Sequence, residues 1–331
     1  MASWKNATTT EPTTRGVLRP AETEATAHLR RDADVHPMLA PFVERYWSVR
    51  WDRTGRPPFR SEVLSHPSVN LSVESGDGTR FGLALPAVLV HGVVTRRFTV
   101  DLVGVGRVTA VKFRPGGFRA FTGVLPARNA VAPLGSELGI DSDRLRVTVL
   151  AAEDDADRAA VLDAVLAPRA PNPEPAYLDL LAVLDRMIGD RSLVRVEQVA
   201  ALAGLSIRSL QRLFAGYVGV SPKAVMARYR LQDAAALIDT AEVDDLAGLA
   251  ASLGWFDQAH FSRDFRSVVG MPPAAYLRRA RQDNQPVTPP DAQPRHPAQG
   301  GVRHLGHSSI AATAPSTATS PPTPWPPWAP S

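Results

Sequence analysis

Residues 199–222, VAALAGLSIRSLQRLFAGYVGVSP, and residues 249–273, LAASLGWFDQAHFSRDFRSVVGMPP, are two versions of one pattern. Ala200 and Gly204 of the first answer to Ala250 and Gly254 of the second. Leu210, Arg212 and Phe214 answer to Phe261, Arg263 and Phe265, and Val218, Gly219 and Pro222 answer to Val269, Gly270 and Pro273. The offset is about 50 residues, with one residue inserted in the second turn. The same residue types in the same order twice mark a duplicated structural unit.

Each copy reads as helix, tight turn, helix. Val196, Val199, Ala200 and Ala203 recur at helical spacing and form one apolar face. Leu246, Leu249, Ala250 and Leu253 do the same in the second copy. Gly204 and Gly254 follow, where a chain leaving a helix turns through positive φ at little cost. Ser206 is placed to N-cap the next helix. That helix buries Leu210, Leu213 and Phe214 and shows Arg208, Ser209, Gln211 and Arg212 on its other face. Its counterpart is anchored by Phe261 and Phe265 and shows Gln258, His260, Ser262 and Arg263. Small residues such as Ala200 and Ala250 let two helices cross closely, as a helix-turn-helix requires. The second helix of such a unit enters the DNA major groove, where Arg reads guanine and Gln reads adenine through paired hydrogen bonds. A solvated helix face would look the same in one copy, and the repetition favours DNA. Between the copies, Ser221 or Pro222 opens a helix to about Ile238. Val225, Ala227, Tyr229, Leu231, Ala234, Ala235 and Leu237 can pack it against both units. Its roughly 25 Å length suits two recognition helices about one DNA turn apart.

The stretches LSIRSLQRLFAGYVGVSPKAVMARYRLQDAAALI and GWFDQAHFSRDFRSVVGMPPAAYLRR resemble the AraC/XylS family of bacterial regulators, over about residues 177–281. Gly254, Phe256, Gln258, His260, Phe261, Ser262, Arg263, Phe265, Gly270, Pro273 and Tyr276 carry the resemblance most specifically. It implies seven helices, two recognition helices in successive major grooves, and control of transcription initiation with RNA polymerase as a partner. On that likeness Arg208, Gln211 and Arg212 of the first unit, and Gln258, His260, Ser262 and Arg263 of the second, meet bases or phosphates. Trp255 and Pro272 depart from the usual pattern without threatening the fold. The stretches LAPFVERYWSVRWD, SHPSVNLSVESG, HGVVTRRFTVDLVGVGRVTAVKFRPGGFRAFTG and AVAPLGSELG more weakly resemble a domain found in front of some such regulators. That likeness suggests a cupin-like β domain that senses a small-molecule effector or mediates homodimerisation.

Charge and composition agree. The net charge is +4 over 331 residues, and all of the excess lies in residues 191–281, with 12 Lys and Arg against 8 Asp and Glu. A local positive field suits a polyanion. There are no cysteines, which excludes disulfides, thiolate nucleophiles and Cys-ligated zinc. An alkyl-DNA repair enzyme joined to a DNA-binding module therefore lacks its acceptor thiol. A glycosylase needs a buried acid in a helical domain, and the front half reads as β. A purely architectural DNA protein leaves that front domain without a purpose. The expectation is a regulator, not an enzyme, with no cofactor. No segment has the length and apolarity of a signal peptide or a membrane span, which fits a cytoplasmic, nucleoid-associated place.

The expected fold class is α+β and multidomain. Residues 1–20 read as a disordered N-terminus and 21–167 as a β-rich domain with a helical end. Residues 168–176 read as a Pro-rich linker, 177–282 as the double helix-turn-helix, and 283–331 as a disordered Pro-, Ala-, Ser- and Thr-rich tail. Strands are expected at Glu62–Ser65, Val69–Val73, Val88–Val90, Arg97–Val103 and Val108–Phe113. His66 and His91 lack the close pairing of cupin metal ligands and read as ordinary strand histidines. The Arg114–Phe118 run reads as a turn before it reads as an anion cradle. Trp47, Trp51, Phe113, Phe118 and Phe121 suit either an apolar pocket or the core.

Overall fold

β-Branched and aromatic runs of the front half pair into a six-stranded antiparallel sheet in a computed structural model that describes residues 16–32, 34–190 and 192–283. Its strands are β1 (Ala27–Asp32), β2 (Val43–Arg53), β4 (Asn70–Gly76), β7 (Ala87–His91), β9 (Gly104–Phe113) and β10 (Val131–Pro133), in the order β1-β2-β9-β4-β7-β10. Two ribbons accompany it: β3 (Phe59–Val63) with β8 (Phe98–Leu102), and β5 (Thr79–Arg80) with β6 (Leu83–Ala84). The sheet stays open and the β3–β8 ribbon covers one face of it, as in a cupin-like half-barrel. Expected strands at residues 69–73, 88–90 and 108–113 are β4, β7 and β9, and those at 62–65 and 97–103 fall on the ribbon. The longest strand, β2, was not anticipated. Its sequence VERYWSVRWDR alternates large apolar residues with arginines and acids on both faces, so no clean apolar stripe marks it.

Alternation sorts the sheet into two faces. One presents Tyr46, Leu71, Val73, Val111 and Phe113 to α2 (Gly117–Thr122), α3 (Ser142–Ala151) and α4 (Asp155–Leu166). Phe118 and Phe121 belong to this core, with Phe113 in edge-on contact with both. The other face carries Trp47, Val49 and Trp51 with Val108 and Ala110, turned toward the ribbon. Gly106 pairs with Trp51, and the indole lies where a Cβ would stand, 2.2 Å away. Of the five aromatics in question, the two tryptophans therefore line a cavity and the three phenylalanines are core.

The helical half holds α5 (Pro175–Gly189), α6 (Val196–Leu202), α7 (Ile207–Tyr217), α8 (Pro222–Asp239), α9 (Leu246–Ser252), α10 (Gln258–Val269) and α11 (Pro273–Asp283). These are the seven expected helices. A short α1 (Pro20–Glu24) precedes β1. The described residues are thus mainly β in front and helical from Pro175 to Asp283.

The two halves share one core. The stretch expected as a linker is a 3-10 turn at Ala167–Arg169 followed by Pro175 at the start of α5. Tyr177 stacks on Phe42 at 5.8 Å between ring centroids and donates to the Pro41 carbonyl at 2.7 Å. Leu180, Val183 and Leu184 continue the same buried cluster into α7 and α8. Each such side chain contributes about 1.5–3 kcal/mol when fully buried. The Arg114–Phe118 turn is filled as well, since a Cβ on Gly117 would meet the Phe42 carbonyl at 2.3 Å. Gly16 to Arg19, expected as part of a disordered N-terminus, are packed: Val17 bridges Val63, and Leu18 enters the core of the second helical unit. Residues 1–15 and the expected tail beyond Asp283 lie outside the described residues.

α8 divides its length between two cores. Val225, Met226 and Tyr229 face the shared core, while Leu231, Ala234, Ala235 and Ile238 face the second unit. Buried Arg228 donates to the carbonyls of Arg96 (3.3 Å) and Val94 (3.4 Å), and burial pulls its pKa down to about 10. Near the end of α8, Asp239 accepts from the Tyr276 hydroxyl at 2.8 Å, and burial pushes its carboxyl pKa up to about 7. The folded state therefore holds a proton that the unfolded chain releases near pH 4. Stability should fall as pH rises from about 4 to 7 and level off above that. Asp239→Asn keeps an acceptor for Tyr276 and removes the titration. Urea unfolding at pH 4.5, 6 and 7.5 should show the wild type losing ground to the variant. Parallel pH profiles would exclude this assignment.

Candidate nucleic-acid interface

The two helix pairs are built alike. α6 ends at Leu202 and the chain turns through Gly204, at φ 63°; α9 ends at Ser252 and turns through Gly254, at φ 82°. Both turns need the positive φ that glycine adopts freely. Ser206 then caps α7 by accepting from the Ser209 amide at 3.1 Å. Asp257, which the sequence reading left without a role, caps α10 by accepting from the His260 amide at 2.6 Å. Leu210 and Phe214 hold α7 inward, and Phe261, Phe265 and Val269 hold α10. Trp255 locks the second turn. Its indole N–H donates to Asp264 at 2.9 Å, and the Arg230 guanidinium lies 4.9 Å from its ring centre.

Opposite these anchors stand the anticipated side chains. Arg208, Gln211 and Arg212 are exposed on α7, and Gln258, His260 and Arg263 are exposed on α10. Ser209 and Ser262 are half-buried. Ser209 is engaged locally, accepting from Arg212 at 3.3 Å and bonding the Ser206 hydroxyl at 2.9 Å. His260 lies 3.2 Å from Asp264, one turn on, in the geometry of a surface pair. Each helix thus offers an arginine and an amide on one polar face, the arginine (Arg212, Arg263) at a position repeated between the units. Two exposed residues were missed. Arg266 lies one turn beyond Arg263 on α10. Its counterpart in the first unit is Ala215, so comparing the copies could not single it out. Phe256 is 93% exposed in the turn before Asp257, a bare aromatic beside the α10 N-terminus.

A helix-turn-helix domain family matches residues 199–279, and a domain of unknown function (DUF6597) matches residues 34–130. An uncharacterized HTH-type transcriptional regulator of Haemophilus influenzae is 32% identical over 97 residues, 29% of this chain and 31% of that protein. The XylDLEGF operon transcriptional activator of Pseudomonas putida is 28% identical over 92 residues, 27% of this chain and 29% of that protein. The helical half is an AraC/XylS-type helix-turn-helix domain. The chain spans less than a third of the length of these relatives. Among solved structures, a probable AraC family transcriptional regulator from Rhodopseudomonas palustris CGA009 is 30% identical, with a TM-score of 0.29, covering 31% of this chain and 97% of that one. ToxT from Vibrio cholerae O395 is 11% identical, with a TM-score of 0.37, covering 76% of this chain and 96% of that one. At these scores the superposition bears on neither fold nor function.

Proposed function

We propose that this chain is a sequence-specific double-stranded DNA-binding regulator of transcription initiation, answering to a small molecule held by its front domain. The observation that carries the reading is the duplicated, capped and anchored helix whose exposed face repeats an arginine, Arg212 and Arg263. Arg208, Gln211, Gln258 and His260 extend these two faces, and Ser209 and Ser262 lie beside them. Phe256 suits apolar contact with a thymine methyl, and Arg266 a phosphate. The excess positive charge of this same segment favours approach to DNA. Contact with RNA polymerase at a promoter and self-association belong to the same proposal, as does a location on the nucleoid.

The chain is read as a regulator and not an enzyme. Ser72, His91 and Glu74 meet within 2.8–2.9 Å, but the same His91 Nε2 faces both the serine and the acid. A serine–histidine–acid triad needs the acid on the opposite ring nitrogen. Among the described residues no group of three His, Asp or Glu could hold a metal, and no helix is long and apolar enough to cross a membrane.

The test is selection of bound duplexes from a random pool by the full chain. The expected result is two half-sites about one turn, roughly 34 Å, apart. Affinity for the selected site should fall steeply with salt, with a log–log slope of about −0.9 for each phosphate contacted. No enriched motif together with a flat salt dependence would overturn the proposal.

A further inference from the structure

The ribbon-facing side of the sheet and the β3–β8 ribbon flank a partly open cavity of about 170 Å³. Trp47, Trp51 and Val108 line it from the sheet, and Val63, Phe98 and Val100 from the ribbon. An apolar cavity of about 150 Å³ holds a benzene molecule, so this one holds about one ring. Arg45, Lys112, Arg80 and His91 on its wall each have an acidic partner within the protein, two to each carboxylate. Arg45 and Lys112 reach Glu44 at 2.8 and 2.9 Å, and Arg80 and His91 reach Glu74 at 2.6 and 2.9 Å. Burial alone would raise the Glu44 pKa, yet Lys112 and Arg45 hold it well below the usual carboxylate range. An occupant that brought its own charge would compete with a partner already in place.

The ribbon has a second face. Ser61 and Val63 line the cavity, and Glu62 between them points the other way, as strand alternation requires. Glu62 pairs with Arg19 at 3.0 Å and with Arg97 at 2.9 Å. Arg97 in turn donates to the Val269 carbonyl at 2.7 Å, at the carboxyl end of α10, where a cation is favoured by the helix dipole. Its guanidinium covers Gly270, lying 2.7 Å from where a Cβ would stand. Gln232 of α8 also lines the cavity and donates to the Leu64 carbonyl at the end of β3. The wall of the cavity and the grip on the second recognition helix are therefore two sides of one two-stranded element.

We propose that the cavity binds an uncharged, largely apolar molecule of about one ring, and that the β3–β8 ribbon transmits its occupancy to α10. This rests on the reading of the chain as a ligand-responsive DNA-binding protein. Three indole N–H groups report on it. Those of Trp47 and Trp51 bond Asn70 and the Val103 carbonyl beside the cavity, and that of Trp255 bonds Asp264 on α10.

Toluene and benzoate are titrated into the full-length protein while these resonances are followed by proton–nitrogen NMR. Toluene should shift the Trp47 and Trp51 signals saturably and the Trp255 signal with the same midpoint, and benzoate at equal concentration should not. Val100→Phe fills the cavity and should abolish all three shifts. Val49→Phe does so from the opposite wall if the first variant fails to fold. Glu62→Gln should keep the Trp47 and Trp51 shifts and lose that of Trp255. No saturable shift at Trp47 and Trp51 overturns the site, and tighter binding of benzoate overturns the uncharged class. A Trp255 signal that stays still in the wild type, or still moves in Glu62→Gln, overturns the ribbon as the route. Titration with selected DNA separates the two readings. An affinity change of about fivefold or more on adding toluene supports both. Unchanged affinity with all three indoles shifting overturns ligand control and leaves the site standing. Absent shifts with intact DNA binding overturn the site alone.

Discussion

Phe265→Ala should cost about 3–5 kcal/mol of stability, and Phe214→Ala a similar amount, because both rings are fully buried and leave cavities their surroundings cannot close. A domain of this kind has only about 5–15 kcal/mol to lose, so either change takes a large fraction of the total. The two losses should differ in where they fall. Phe265 sits between Phe261 and Tyr276, with ring centroids 5.5 and 5.6 Å away, in a core made by the second unit, the end of α8, and Leu18 and Leu64 of the front half. Its loss should loosen α10 and α11 while the sheet stays folded. Phe214 lies in the core that runs from the sheet through α5 to the start of α8. Its loss should weaken the front half and the first unit together. Hydrogen exchange separates these outcomes: Phe265→Ala should lower protection in α10 and α11 and spare β9, and Phe214→Ala should lower both. DNA binding should fall in each variant in step with lost helix. A cost below about 1 kcal/mol in urea unfolding would show that these rings are not the anchors.

The double unit was legible because its signals are local. Gly204, Gly254 and Ser206, with the apolar spacing of Leu210, Phe214, Phe261 and Phe265, each act within a turn or two of chain, where sequence distance and spatial distance agree. Every side chain expected on the two polar faces is exposed or half-buried where the structure places it. The front half was legible as β but not strand by strand. β2 was lost because Arg45, Arg50 and Arg53 interrupt its apolar residues. Glu44 beside Arg45 is held by Lys112, 68 residues on, a pairing that only the folded sheet creates. The union of the two halves left no trace at all. The stacking of Phe42 on Tyr177 joins residues 135 positions apart, and the reach of Arg97 to Val269 spans 172. Prolines between 168 and 175 look like a spacer whether or not the flanking surfaces meet, and only the buried face of α5 decides it. The cavity is hidden for the same reason. Trp47 and Trp51 would satisfy a core or a pocket equally, and the ribbon that makes it a pocket is paired across the sequence.

Arg212→Ala and Arg263→Ala should leave folding unchanged and weaken specific DNA binding by about 1–3 kcal/mol each, if each guanidinium reads a base edge. Both side chains are exposed, and the one hydrogen bond described for Arg212, to Ser209, is a weak one at 3.3 Å on the surface of its own helix. The melting temperature should therefore hold. The two residues sit on different helices joined by α8, so their losses should add to within about 0.5 kcal/mol, giving about 2–6 kcal/mol for the double variant. That is the largest binding effect expected from any pair on these faces. The alternative role for either arginine is a phosphate contact. Its removal would weaken selected and random duplexes alike and make the salt slope shallower by about one. Base reading would instead spare random DNA and relax the selected motif at one position. Titrations of both variants and the double on selected and random duplexes, at two salt concentrations, distinguish these roles for each helix separately. Wild-type affinity in the double variant would mean that α7 and α10 do not read DNA through these side chains, and the interface would have to lie elsewhere on the helical half.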